Sequence, residues 1–567
     1  TFQEVVKRDQ GNTEALLKLV WWKYRAADFD GAETLLQQAL SRNSTDPKLL
    51  YAAGVVRRGA GRLDAAEDSF WSGIRFGGAV GPSLLQLGEI AIQKKDFADA
   101  DSLLRRALDR DPKNALVLAD LAVAARLAGN VAETKSAAEQ ALKLMPLFPP
   151  ARAASQAAGA DRKAEQDPVL SNAENALEAA SWLRSLGDFD ASDKVLAAAA
   201  QTNGSRSTSP MIYYYLASNA WREHREGQAK ELSAKAAALS TEKVFPQRVS
   251  DAAVLLDALK HNSSDSHAHY LLGNFLFAHG QYDDGLAHWK QAQAGGFEDA
   301  ALERNLAMYA WRIKHDLPTA ADAFLKAVRL APAQYRLYPE LDEIYAQLHQ
   351  NEKRSELFSG APKSVLEHDT VIVRRALLLV EEHQFDAALG LLADHRFKPW
   401  EGGRIVRDMF VLANLEKGRL AMQSKQFAAA EQAFRRALEY PVNLGVGKPR
   451  QPDDVEALYW LGDALAAEGK MKEAQTAWQN AVDSDVMHGS SSVFRALALQ
   501  RLGKEDQGSK MLQQLAAVKN GNTAVEFYTA GLAERFRGRE QAAQSDFEQA
   551  LLKDPGLWSA RFALRKQ

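Results

Sequence analysis

A period of 34 residues constrains this chain more than any other feature of its sequence. When units are started at Pro47, Gly81 and Ala115, positions 8 and 27 of each unit hold a small residue. Position 24 is Phe70 in the first of these units and Leu104 in the second. Small residues let two antiparallel helices approach closely, and a large apolar residue fills the space beside them. The period therefore predicts stacked helical hairpins that bury their apolar faces mainly against their neighbours.

Turn segments mark the middle and the end of most units. The two helices of a unit are separated by a short segment with an aromatic anchor, as in ADFDGA (27–32), KDFADA (95–100) and HQFDAA (383–388). Many units close with proline, which stops one helix and suits the first turn of the next. These signals place 14 units, which start near residues 13, 47, 81, 115, 173, 213, 266, 301, 335, 369, 411, 455, 489 and 524.

The pattern resembles the tetratricopeptide repeat. The resemblance implies an all-α fold, an α-solenoid superhelix of about 14 helix-turn-helix units, with a capping helix at 556–566. The units near 213, 335 and 489 fit the pattern least well. We predict four segments: N-terminal units at 1–146, an irregular connector at 147–172, central units at 173–400, and C-terminal units at 401–567 that carry a loop insertion at 440–454.

Composition excludes several classes of protein. Lysine and arginine number 70 and aspartate and glutamate 73, so the chain lacks the basic surplus typical of nucleic-acid binders. No apolar run is long enough for a membrane span. The absence of cysteine excludes disulfides, thiolate metal sites and cysteine nucleophiles. The lack of cysteine and of an initiator methionine favours an exported, periplasmic protein, although a cytoplasmic fragment would look the same.

A generic repeat requires neither the WEGG loop (400–403) nor the PVNLGVGK loop (441–448). These loops lie in two of the six segments that carry a more specific resemblance, namely AHYLLGNFLF (268–277), ERNLAMYAW (303–311), YPELDEIY (338–345), HRFKPWEGGRIVRD (395–408), ALEYPVNLGVGKP (437–449) and LYWLGDAL (458–465). These segments resemble the repeat region of bacterial proteins that carry an upstream, mutarotase-like β domain of unknown function. The resemblance covers about residues 170–485 and implies a carbohydrate-linked protein. Arg404 and Ile405 depart from the acidic–glycine pair that usually follows the WEGG sequence in that group.

Three motifs come close to chemical sites, but each has a structural explanation. His267 and His269 are two residues apart and diverge around a helix, so no metal site is expected. GVGKP (445–449) has Pro449 where a phosphate-binding loop needs a hydroxyl residue, so no nucleotide is expected. The carboxylates of YPELDEIY (338–345) suit glycoside hydrolysis in principle, but a cluster on one helix is expected to form ion pairs. We therefore predict no cofactor, no metal and no catalytic residue.

The resemblance to tetratricopeptide repeats implies that positions 5, 9 and 12 of the first helix of each unit face an inner groove. A surface of aromatic rings, amides and single charges suits an extended peptide or a glycan. Two unusual loops, WEGG (400–403) and NLGVGK (443–448), are expected to meet on one edge and to form a docking contact. The predicted binding residues are Tyr270, Asn274, Asn305, Tyr309, Arg312, Glu343, Trp400, Glu401, Arg419, Asn443, Lys448, Tyr459 and Asp463.

Three functional hypotheses follow. The first is a non-catalytic scaffold that binds a protein partner or a neighbouring domain of the same polypeptide, and that is the solenoid part of a larger carbohydrate-linked bacterial protein. The second is a periplasmic scaffold for exopolysaccharide synthesis or export, with a polysaccharide as a further partner. The third is a glycoside-active enzyme with its site in the groove. We favour the first and expect neither nucleic acid nor a membrane span.

Overall fold

The computed structural model describes residues 2–9, 11–159, 166–202, 209–399, 403–485, 489–517 and 523–565. The chain divides into two compact units, Thr1–Glu298 and Asp299–Gln567. The described residues form 33 α-helices and no strand. The prediction of an all-α solenoid is confirmed.

The first unit consists of helical hairpins in chain order. Its helices are α1 (Phe2–Arg8), α2 (Thr13–Arg25), α3 (Phe29–Leu40), α4 (Pro47–Gly59), α5 (Leu63–Arg75), α6 (Val80–Gln93), α7 (Phe97–Arg110), α8 (Ala115–Leu127), α9 (Val131–Leu144), α10 (Pro149–Ala157), α11 (Ala173–Ser185), α12 (Phe189–Thr202), α13 (Pro210–Arg222), α14 (Glu226–Ala237), α15 (Val249–His261), α16 (Ser266–Ala278) and α17 (Tyr282–Ala294).

The second unit continues the same architecture and ends in a short helix. Its helices are α18 (Ala300–Arg312), α19 (Leu317–Leu330), α20 (Leu337–Gln347), α21 (Asn351–Ser359), α22 (Lys363–Leu366), α23 (Asp369–Glu381), α24 (Phe385–Ala393), α25 (Arg404–Gln423), α26 (Phe427–Ala437), α27 (Val455–Ala467), α28 (Met471–Asp483), α29 (Ser490–Arg501), α30 (Glu505–Ala517), α31 (Ala524–Phe536), α32 (Glu540–Lys553) and α33 (Trp558–Arg565). A single 3₁₀ turn, Val442–Leu444, lies in the loop between α26 and α27.

In the hairpins that have glycine at position 8, this residue meets position 24 as the period predicts. A Cβ atom added to Gly54 would lie 2.4 Å from the Phe70 ring, and one added to Gly462 would lie 2.4 Å from the Trp478 indole. The ring of Phe70 is fully buried. The glycines thus give the aromatic rings the space they occupy, which fixes the closest approach of the two helices.

The predicted turn segments share one backbone arrangement. The first residue of the segment has a positive φ, 58° at Ala27 and 62° at Lys95. The following aspartates, Asp28 and Asp96, accept a hydrogen bond from a backbone N–H in the first turn of the next helix. The first residue ends one helix in the left-handed conformation and the aspartate caps the next.

Besides α33, which corresponds to the predicted capping helix, four described helices fall outside the predicted hairpins, namely α1, α10, α15 and α22. The helix α10 lies in the segment predicted to be an irregular connector. It packs against α8 and α9 and buries Ala151, Ala153 and Ala154. This part of the segment is helical, because alanine alone gives a helix a face small enough to pack closely without any large apolar residue. The bounds of the four predicted segments remain a prediction.

Candidate functional site

A cavity of about 810 Å³ opens on the inner face of the second unit. Its walls come from the first helices of successive hairpins (α25, α27 and α31), from the start of α29, and from the loop at 440–454, and α33 closes one side. The lining includes the aromatic side chains Tyr440, Trp460, Tyr528, Phe536, Trp558 and Phe562 and the charged side chains Arg404, Arg407, Asp408, Glu416, Arg419, Asp453, Asp454, Glu456 and Arg535.

The Arg419 guanidinium ties two walls of the cavity together. It donates to Glu416 Oε1 at 2.7 Å on its own helix and to Glu456 at the start of α27. It also lies 4.9 Å from the centroid of the Trp460 ring. These carboxylates hold the pKa of Arg419 above its ordinary value despite the burial that opposes it. Arg419 is therefore a fixed positive charge in the cavity wall.

Arg407 is the most deeply buried cation of the lining. Its side chain is 7 % exposed, and its guanidinium packs 3.9 Å from the centroid of the Tyr440 ring. Asp454 accepts from it only at 3.5 Å. Its Nε is buried and has no hydrogen-bond acceptor among the described residues. Arg407 thus has weak local compensation for its charge.

Two carboxyl groups of the cavity are easier to protonate than usual. Burial raises the pKa of Asp408, and the nearby guanidinium of Arg404 opposes this only in part. Burial likewise raises the pKa of Asp454 against the opposing charge of Arg407. Arg404 stands 73 % exposed at the rim and has Asp408 at 3.7 Å. The rim therefore presents a guanidinium to any entering segment.

The corresponding face of the first unit is filled by its own chain. The Trp182 indole N–H donates to Asp120 at 2.8 Å, and both residues are buried. The Arg58 guanidinium donates to the backbone carbonyl of Ser185 at 3.1 Å. The hairpin that begins at α11 thus covers the inner side of earlier hairpins, and we place the candidate site in the second unit.

Two predicted binding residues on this inner face differ in where they lie. Arg419 lines the cavity. Glu343 on α20 instead pairs with Arg374 Nη1 at 2.6 Å and with Arg561 Nη2 at 3.0 Å. Burial opposes ionisation of Glu343, but the two guanidinium groups outweigh it and lower its pKa. A binding role for either residue remains a prediction.

Two other predicted binding residues hold core tryptophans in place. Asn274 accepts a hydrogen bond from the Trp289 indole N–H at 3.0 Å. Asp463 accepts one from the Trp478 indole N–H at 3.1 Å. Asn274 follows Gly273 and Asp463 follows Gly462, the glycines on which these tryptophans pack. The residue at position 9 of these hairpins therefore orients the tryptophan at position 24.

The predicted tyrosines of the groove are mostly buried. Tyr270 is 6 % exposed and stacks on Phe297. Tyr309 is 5 % and Tyr459 4 % exposed. Their ring faces are therefore largely in contact with the protein itself.

Two predicted residues on α18 are less deeply buried than these tyrosines. The Arg312 guanidinium lies 3.5 Å from the centroid of the Trp311 ring. Asn305 is partly exposed. The binding role of both remains a prediction.

The described part of the NLGVGK loop contacts the segment that precedes WEGG. The Asn443 side chain donates to the backbone carbonyls of Leu392 and His395, both at 2.9 Å. The backbone N–H of Phe397 donates to the backbone carbonyl of Asn443 at 2.8 Å. Lys448 is exposed and lies 4.0 Å from Asp454. Trp400 and Glu401 lie outside the described residues.

Several residues that line the cavity were not predicted from the sequence. Tyr528, Leu532 and Arg535 occupy positions 5, 9 and 12 of the hairpin that starts at 524, and all three line the cavity. The position rule therefore identifies them when it is applied to that hairpin. No repeat signal identifies Trp558 and Phe562, because they belong to the terminal helix.

Two histidines of the first unit, His269 and His288, form a hydrogen-bonded pair. His269 Nδ1 lies 2.8 Å from His288 Nδ1, within hydrogen-bond distance. His269 Nε2 lies 3.1 Å from the backbone carbonyl of Ser263. Within the described ranges, no three histidine or acidic side chains are placed to hold a metal ion.

Lowering the pH from about 7 to about 5 is expected to destabilise the parent chain more than a His288→Gln variant. Burial and the neighbouring His269 lower the pKa of His288 in the folded state. The unfolded chain takes up its proton as the pH falls through about 6.5, so the folded state loses stability below that pH. Urea melts measure this loss, with exposed His315→Gln as the control, and equal pH slopes for all three chains would contradict the expectation.

A family model for the tetratricopeptide repeat matches residues 17–71, 85–158 and 415–485. The predicted repeat is therefore confirmed in both units. No helix in the described part of the chain has the length and apolar character needed to cross a membrane.

Several solved structures are similar to this chain at low identity. A tetratricopeptide repeat protein from Parabacteroides merdae is 17 % identical, covers 46 % of this chain and 98 % of its own, and has a TM-score of 0.26. The pilF protein of Pseudomonas aeruginosa is 15 % identical, with 44 % and 99 % covered and a TM-score of 0.25. Yeast Tom70 is 14 % identical, with 87 % and 99 % covered and a TM-score of 0.24.

Proposed function

Because the chain carries tetratricopeptide repeats, we propose that it is a non-catalytic interaction scaffold that holds a segment of a protein partner in the cavity of its second unit. The cavity of about 810 Å³ is the observation that carries this proposal. Its size is within the range of about 300–1,000 Å³ of pockets that enclose a ligand.

The chemistry of the lining supports a protein partner. Aromatic residues and arginine are enriched in protein interfaces, where they supply most of the binding free energy. Six aromatic and four arginine side chains line this one cavity. Its carboxylates and arginines are interleaved, so a partner segment with both apolar and charged groups suits it better than a purely apolar one.

Replacing Arg404 with alanine is expected to weaken peptide binding by about tenfold, which corresponds to about 1.4 kcal/mol. Random peptides displayed on phage are selected against the full chain, and one selected peptide is synthesised with a fluorophore for anisotropy titrations. Arg404 is 73 % exposed at the rim, so the change should cost little stability. Arg539→Ala, which removes an arginine side chain 61 % exposed outside the cavity lining, is the matched control. Equal affinities for both variants and the parent would contradict a site in this cavity.

The proposed partner is a neighbouring β domain. The resemblance of 268–277, 395–408 and 437–449 to carbohydrate-linked bacterial proteins supports a neighbouring β domain as the partner. The described residues contain no strand, so such a β domain would be formed by residues other than these.

A glycan is the second candidate ligand, because aromatic rings and carboxyl groups with raised pKa share the cavity. A carboxyl group with a raised pKa is what a general acid for glycoside hydrolysis needs. Hydrolysis of glycosides by the parent chain that is lost in Asp408→Asn would favour the enzyme hypothesis over the scaffold.

A further inference from the structure

The terminal helix α33 lies across the inner face of the second unit and contacts residues far away in the sequence. Arg561 Nη2 donates to both carboxylate oxygens of Glu343, at 3.0 and 3.2 Å, across 218 residues. On the other side, Arg535 Nη1 donates to the backbone carbonyl of Ala563 at 2.9 Å. The helix therefore bridges two walls of the groove.

The apolar residues of α33 are divided between these two walls. Phe562 belongs to the core cluster of α23, α24 and α25, and Trp558 packs against that cluster. Ala563 belongs to the cluster of the last hairpins, and Leu564 packs there. One side of α33 thus caps the final hairpin, as a terminal helix does in a solenoid. The other side fills the groove in the way that a bound helix would.

The polar contacts of α33 are incomplete. Arg561 is 4 % exposed, and its Nε and Nη1 have no hydrogen-bond acceptor among the described residues. On the wall opposite, Arg374 also has one buried donor, Nη2, without an acceptor in the described chain. Buried donors without acceptors weaken an association. The Arg561–Glu343 ion pair therefore makes the contact of α33 specific. The donors without acceptors make it weaker than a contact in which every donor is hydrogen-bonded.

We propose that α33 occupies the place of a partner helix. The partner would present an amphipathic helix with an aromatic residue, a cation three positions later and a second aromatic residue at the next position, as Trp558, Arg561 and Phe562 do in α33. This inference rests on the proposed function and names the kind of partner that the groove accepts. The cation is recognised by Glu343 and the aromatic residues by the cluster of α23–α25.

Covalent attachment gives α33 an advantage that a partner must overcome. A segment held by a short linker has an effective concentration of about the millimolar range. A separate helix gains by being longer than the eight residues of α33 and by giving acceptors to the unpartnered donors. Access to the groove is thus restricted to segments that bind better than α33 itself.

A peptide with the sequence of residues 554–567, labelled with a fluorophore, tests the proposal on the full chain. In the variant Trp558→Ala/Arg561→Glu/Phe562→Ala, the three side chains that hold α33 to the far wall are changed, and hydrogen exchange over residues 558–565 reports its release. The peptide is expected to bind this variant at least about tenfold more tightly than the parent. Adding Glu343→Gln should weaken that binding by about tenfold, because the peptide's arginine loses its carboxylate.

The single variant Arg561→Glu places its new carboxylate beside that of Glu343. It should also bind the peptide more tightly than the parent does, but by a smaller factor than the triple variant. If the triple variant loses helix content, peptide binding to this single variant tests the proposal instead. Lys553→Glu makes the same charge change on the exposed side of α32 and should bind the peptide no better than the parent. Absence of binding to the opened variants, or binding of equal strength to every chain, would overturn the proposal. In that case, a phage-selected peptide whose binding to the parent is weakened by Arg404→Ala would still support the proposed function.

Discussion

Replacing Arg354 with leucine is expected to lower the free energy of unfolding by about 3–5 kcal/mol, the scale for a buried ion pair that loses one partner. The Arg354 side chain is fully buried. Its Nε donates to Asp342 Oδ1 at 2.7 Å, and its Nη1 donates to Glu381. Leucine would leave two carboxylates in an apolar surrounding with fewer donors, and their desolvation is the source of the loss.

Urea melts of parent and variant measure this loss, and hydrogen exchange over α20 to α23 shows where it arises. Arg105→Leu is the control, because Arg105 also bridges two carboxylates, Asp101 and Glu133, but its side chain is 50 % exposed. An exposed pair contributes less than about 1 kcal/mol. Similar losses in both variants would mean that burial does not decide the strength of these pairs.

The Arg354 network shows what the sequence predicted about this region and what it could not. YPELDEIY predicted ion pairs, and Glu340 does pair with Arg304, at 2.8 Å. The identity of the other partners was beyond prediction, because Asp342 binds arginines on two later helices and Glu343 binds one at the far end of the chain. A repeat pattern predicts that neighbouring helices are in contact, but it does not predict which arginine pairs with which carboxylate. The Glu343–Arg561 pair depends in addition on how α33 meets a hairpin far away in the sequence.

The candidate site was predictable to a similar extent. The position rule identified Arg419, and the same rule accounts for Tyr528 in a hairpin where it was not applied. It also selected Asn274 and Asp463, whose side chains hold tryptophans. The rule specifies which side of a helix faces inward, but it does not specify whether a neighbouring ring already uses that side chain.

Substituting Gly462 by alanine is expected to lower the free energy of unfolding by about 2 kcal/mol, within the range for overpacking a tight core. The new Cβ would lie 2.4 Å from Nε1 and 2.5 Å from Cδ1 of Trp478. The indole cannot move aside freely, because Trp478 is 4 % exposed and its N–H donates to Asp463 at 3.1 Å. The added methyl group therefore has to push two helices apart.

Two further chains separate this clash from the intrinsic effect of alanine in a helix. Gly390 lies inside α24, and a Cβ atom added to it would meet no atom within 4 Å, so Gly390→Ala should raise stability by about 0.5–1 kcal/mol. In a Trp478→Leu background the ring is gone, and Gly462→Ala should then be close to neutral or stabilising. The difference between the two backgrounds measures the coupling of position 8 with position 24. A coupling below about 0.5 kcal/mol would mean that the pairing from which the fold was predicted has no energetic role in this hairpin.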